Sequence, residues 1–185
     1  MSALSRLFSN RRFGLAASAL VFTAAFMNAQ SAEAPQYNTD ISIAEVMAAT
    51  IMPATDALWN AIQLDVVDGK EKLTGPATDD AWLALRNQAV TLASVTNLLM
   101  IPEMKISKDP TSKEHGEGEL SPAEMTKLRN ENLKAFNVHA QNLHNLAMKL
   151  IQAIDKKDLK TISDAGGDLD DVCKACHQQF WYPNG

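Results

Sequence analysis

An all-α class, arranged as an antiparallel four-helix bundle, is what three features of this 185-residue sequence predict. Apolar residues recur at the helical period in four separate stretches. Helix-start signals precede those stretches, and no stretch sustains the period-two alternation of a strand. Short turns and one longer link, between the second and third helices, suit an antiparallel bundle.

Ser42-Ile43-Ala44-Glu45 has the form of a capping box, with Ile41 placed to staple onto Val46. The first helix is expected to run from there to about Leu64. Its apolar stripe is Ile43, Met47, Ile51, Ala54, Leu58 and Ile62. Pro53 lies inside it and, lacking an N–H, should kink it. Residues 68–75 read as a mostly polar turn. The second helix opens near Thr78, carries Asp79 and Asp80 in its first turn, and ends before Pro102. Its buried side is marked by Trp82, Leu85, Ala89, Leu92, Val95 and Leu99.

Residues 102–120, rich in Pro, Gly, Ser and charge, read as a long exposed connection. Ser121-Pro122-Ala123-Glu124 then restarts the chain as a third helix, to near Asp155, with Ser as cap and Pro at the first position. The fourth begins around Asp158 and stops before Pro183. Gly166-Gly167 within it allows either a close approach or a break.

The first residues carry an address. Arg6, Arg11 and Arg12 precede an apolar run from Phe13 to Met27, followed by small residues, which is the pattern of a secretory signal peptide. The run is shorter than the roughly 20 residues of a membrane span. Cleavage after Ser31 fits the small residues best, giving a signal peptide at 1–31, a single domain at 32–185 and no membrane span after signal removal. Processing lowers the basic count by three, from 17 to 14, against 22 acids, a formal charge of −8. That charge argues against nucleic acid as a partner and admits a basic one.

The only two cysteines stand in Cys173-Lys174-Ala175-Cys176-His177, a C-x-x-C-H run. Residues three and four apart share a helix face, so both thiols and the imidazole point one way. Two such thiols can capture the two vinyl groups of a haem as thioethers while the imidazole meets the iron, which is the attachment signature of haem c. One covalently bound haem c is therefore expected, with Cys173 and Cys176 as anchors and His177 as proximal iron ligand. Three other readings are weaker. A zinc site lacks a fourth ligand. A thioredoxin-like pair would follow a strand. A disulfide here would close too small a loop to restrict the chain much.

A signal peptide, four helices and C-x-x-C-H on the last of them resemble the class II c-type cytochromes, the cytochrome c′-like family. Phe180 matches the family's aromatic residue after the motif, whereas Trp181 stands where the family has a basic side chain. The resemblance places the residue facing the distal side of the iron at Met47, in Val46-Met47, and aligns Met52-Pro53 with a following Met and Pro. Ile43 replaces the family's usual Arg near a haem propionate, leaving Arg86 and Arg129 as candidates for that contact.

Met47 falls on the buried stripe, where it serves either as iron ligand or as core filler. His115, His139 and His144 read as solvated or satisfied side chains, and Trp59, Trp82 and Trp181 as packing residues. The resemblance implies a periplasmic, non-enzymatic monohaem protein. It is an electron carrier serving redox partner proteins, or alternatively a five-coordinate protein binding nitric oxide or carbon monoxide, with a homodimer among the implied assemblies.

Overall fold

The capping box at Ser42 forms as its sequence dictates. Ser42 Oγ accepts the Glu45 N–H at 3.3 Å, and the Glu45 carboxylate accepts the Ser42 N–H at 2.9 Å. In the computed structural model, which describes residues 36–113 and 115–183, this box opens α1 (Ile43–Val46). The expected signal peptide at 1–31 lies outside the described residues. Ile43 and Ala44 donate their N–H groups to the Lys105 and Ile106 carbonyls, at 2.8 and 3.0 Å. The orphan donors of the first turn are thus met from the long connection. Ile41 is exposed rather than stapled.

Lys108 pairs with Glu45 from that same connection, and this contact, with the Ser42 N–H, draws the Glu45 carboxyl from its ordinary 4.5 down to about 2. A carboxylate depressed in the fold stabilises above its unfolded pKa and ceases to do so as pH falls through its folded one. The tie between α1 and the connection should therefore loosen between about pH 4.5 and 2, and Glu45→Gln should remove that dependence. An NMR titration of the Ser42 and Glu45 amides checks it: a midpoint near 4.5 would show that the box is not formed.

The stripe expected to extend α1 to Leu64 is interrupted twice. Met47–Ile51 forms a π-helical turn in which the Met52 N–H reaches the Met47 carbonyl, and α2 (Met52–Trp59) follows. Pro53 explains the wider turn, because its ring needs the space of the carbonyl four residues back and it has no N–H to offer. At Asn60 the chain leaves the helix, with the side-chain amide donating to the Asp56 carbonyl at 2.7 Å.

The sequence from Gln63 to Thr74, expected as helix end and turn, is instead an antiparallel hairpin of β1 (Gln63–Val67) and β2 (Lys70–Thr74). Asp68 and Gly69 both take positive φ, 52° and 73°, as a two-residue primed turn requires. The fold is therefore mostly helical with a small two-stranded sheet rather than all-α. The hairpin is almost entirely exposed, and β2 lies against the helix Leu159–Phe180.

α3 (Asp79–Leu99) starts on Thr78, whose hydroxyl accepts the Ala81 N–H at 3.2 Å, and buries Leu85, Ala89, Leu92, Val95 and Leu99 as expected. Trp82 is half-buried beside them. The connection after it is not wholly exposed, since Ile101 and Met104 enter the core. Ser121 and Glu124 form the second capping box.

The expected third helix is two helices, α4 (Pro122–Glu131) and α5 (Leu133–Asp155), parted at Asn132 with φ −128° and ψ 34°. Its side-chain amide donates to the Leu128 carbonyl at 2.9 Å, the kind of local bond that competes with helix continuation. α6 (Leu159–Phe180) starts on Asp158 and runs unbroken through Gly166 and Gly167. The Gly166 carbonyl accepts the Trp59 indole N–H at 3.0 Å and so ties α6 to the end of α2.

α5 runs antiparallel to both α3 and α6. Arg86 early in α3 pairs with Asp155 at the end of α5, at 2.7 Å, and Lys149 of α5 pairs with Asp168 of α6, at 2.8 Å. These bridges are exposed and fix register more than stability. The core lies between α3, α5 and α6, with α1, the π turn and α2 packed on α3. Among the described residues no helix is long and apolar enough to cross a membrane.

Candidate functional site

Phe180 seats the last turns of α6. It is buried, edge-on to Phe136 of α5 at 5.1 Å, while the His139 ring stands 6.0 Å away. Cys173, Cys176 and His177 follow one face of the same helix, three and four residues apart. All three are half-buried, and both cysteines pack against the core as free thiols.

Burial raises the Cys173 thiol pKa, with Asp170 adding to the effect, and pushes Cys176 up to about 12, with Cys173 adding to it. Burial also lowers the His177 pKa, which favours the neutral imidazole that a metal requires. Two protonated thiols and a neutral imidazole, on one face at the edge of an apolar core, match the donor set of a haem c. Among the described residues no hydrogen bond reaches the His177 ring. Its neighbours are the rings of Trp181, 4.9 Å away at 85°, and Tyr182, 5.9 Å away at 60°. The one sequence signal for this aromatic setting is the spacing of four from His177 to Trp181, which places the two on one face.

Met47 is the first residue of the π turn and is half-buried against the core. That turn and α1 pack on α3 and not on α6, so the backbone does not bring Met47 and His177 into contact. Met52 and Met148 are exposed, Met100 half-buried and Met104 buried.

Neither arginine expected to serve a propionate is free to do so. Arg86 is held by Asp155. Arg129, only 1% exposed, donates from Nη1 to the Pro102 and Met104 carbonyls and from Nη2 to those of Leu99 and Ile101, at 2.7 to 3.3 Å. Its guanidinium also lies 4.9 Å over the Phe136 ring. Burial lowers its pKa, but a guanidinium stays charged, and here it stands at the negative end of the α3 dipole.

The other histidines are engaged elsewhere. The His144 ring nitrogen bonds the Ala93 carbonyl at 2.9 Å, His139 meets the Gln179 amide oxygen at 2.7 Å, and His115 is exposed. Two open depressions of about 500 and 570 Å³ run along α5 beside Leu133 and Val138, and neither is lined by the cysteines or His177.

No curated protein and no solved structure matches the chain. The family model described as Cytochrome C' matches residues 114–181, from the end of the long connection through α4, α5 and α6 to Trp181. That family is one of haem proteins, and the matched segment contains the C-x-x-C-H run. Over this segment the chain is similar to the Cytochrome C' family, the resemblance its C-x-x-C-H run already carried.

Proposed function

We propose that the chain is an exported, periplasmic monohaem c-type cytochrome that carries single electrons between redox partner proteins, folded as an antiparallel four-helix bundle. The α1 to α2 rod, α3, the α4 to α5 rod and α6 supply the four members. The observation that carries the reading is the placement of Cys173, Cys176 and His177, half-buried on one face of α6 with both thiols unpaired. Cys173 and Cys176 anchor one haem covalently, His177 is the proximal ligand and Met47 the distal one. The haem supplies the one-electron chemistry, and the chain orients the ligands and excludes water. The basic n-region and apolar run before Ser31 support export.

A second reading, a five-coordinate protein binding nitric oxide or carbon monoxide, takes Met47, half-buried against the core, as packing rather than as ligand. Absorption spectra decide between the two. The carrier predicts a low-spin ferric form that becomes high-spin in Met47→Ala, because a thioether as sixth ligand gives low-spin iron and raises the potential. A wild type already high-spin, with fast carbon monoxide uptake when reduced, establishes the second reading instead. A colourless protein from a host that matures haem c would defeat both.

A further inference from the structure

We infer that Trp181 is a positioning residue that fixes the plane of the His177 imidazole. The inference rests on the haem reading above and concerns the residue four positions after His177.

A metal-bound histidine normally has its other ring N–H held by a carboxylate, carbonyl or water, which sets the ring's orientation about the metal–nitrogen axis. No protein group among the described residues hydrogen-bonds the His177 ring, which leaves its ring contacts as the protein's hold on that angle. Trp181 supplies one. Its ring stands 4.9 Å from the imidazole at an interplanar angle of 85°, an edge-to-face pair, and rotation of the imidazole would lose this geometry.

The backbone that carries the indole is fixed. The Trp181 backbone N–H donates to the His177 carbonyl at 2.8 Å, and the Trp181 carbonyl accepts the Leu120 N–H at 2.8 Å. Trp181 is therefore tied both to the turn that presents His177 and to the connection ahead of α4. Phe180, pinned on Phe136, prevents the end of α6 from swinging as a unit. Tyr182 lies behind, 5.6 Å from Trp181, and its N–H donates to the same His177 carbonyl at 3.0 Å.

At 36% exposure the indole is also the outer wall of the imidazole on this side. A basic side chain there would offer charge and no flat surface, whereas indole offers a flat surface and no charge. The angle of the axial imidazole governs how unpaired spin spreads over the porphyrin in the ferric state, so orientation has its own readout.

The test uses full-length haem-loaded protein as wild type, Trp181→Phe, Trp181→Leu and Tyr182→Leu, reading the haem-methyl proton shifts and g-anisotropy of the ferric form. Trp181→Leu should redistribute the methyl shifts, Trp181→Phe should fall between it and wild type, and Tyr182→Leu should change them least. Wild-type spectra in both Trp181 variants would overturn the inference, as would the full change appearing in Tyr182→Leu alone. Should Trp181→Leu fail to load haem, Trp181→Phe decides: a shifted pattern supports the role and an unchanged one removes it. A wild type without covalent haem would overturn the parent reading and this inference together, an outcome distinct from unchanged spectra in loaded variants.

Discussion

Replacing both Cys173 and Cys176 by alanine should abolish covalent haem, so that acid–organic extraction strips all colour from the protein. Each single variant should keep one thioether, retain its haem through extraction, and shift its reduced alkaline pyridine spectrum toward that of a haem with one free vinyl. The effect is complete rather than graded because the chain has no third cysteine to substitute. The half-buried setting of the two sulfurs, side by side with His177 on α6, leaves no other thiol face for the porphyrin edge. Mass spectrometry of the intact protein checks the result. A double variant that still carries the mass of haem would contradict the attachment assigned here, and one that binds it reversibly through His177 would not.

Arg129→Leu should cost about 3 kcal/mol of unfolding free energy, near the upper end for leaving buried acceptors unmatched. Four carbonyls, those of Leu99, Ile101, Pro102 and Met104, lose their donor at once. Their side chains Leu99, Ile101 and Met104 belong to the core, so the loss spreads into packing. For a domain of this size the loss corresponds to a fall in Tm of about 10 °C. Arg129→Lys should recover only part of it, since an ammonium cannot present the planar fork that serves four acceptors. Thermal unfolding of the two variants measures both effects. A fall below about 1 kcal/mol in Arg129→Leu would mean that water takes over the carbonyls without penalty.

Arg129 also shows why part of the structure was illegible. In sequence it is one of two arginines available to a haem propionate, and nothing local distinguishes a cation that faces a cofactor from one that closes a helix end. Its true partners are backbone carbonyls more than twenty residues away, which no side-chain pattern encodes. The capping boxes at Ser42 and Ser121 and the caps at Thr78 and Asp158 were legible because each acts within three residues. The hairpin had one local sign, Asp68-Gly69, but Val66 and Val67 are adjacent and break the alternation that would have identified a strand.

In the candidate site, the face shared by Cys173, Cys176 and His177 follows from spacing alone. The packing of Trp181 on His177 needed the chain's exit from α6. The π turn at Met47 needed the geometry around Pro53.

The half-burial of Cys173 and Cys176 has a consequence for the order of events in the protein's life. A thiol adds to a vinyl group most readily as thiolate, and the folded chain suppresses that form, above all at Cys176. The fold is a finishing state for these sulfurs rather than a reactive one. On the proposed haem attachment, their chemistry belongs to the interval before Ile162, Leu169 and Phe180 close α6 onto the core. Maturation on that proposal is a race between ligation of α6 and its docking, and a variant that docks faster should mature less completely.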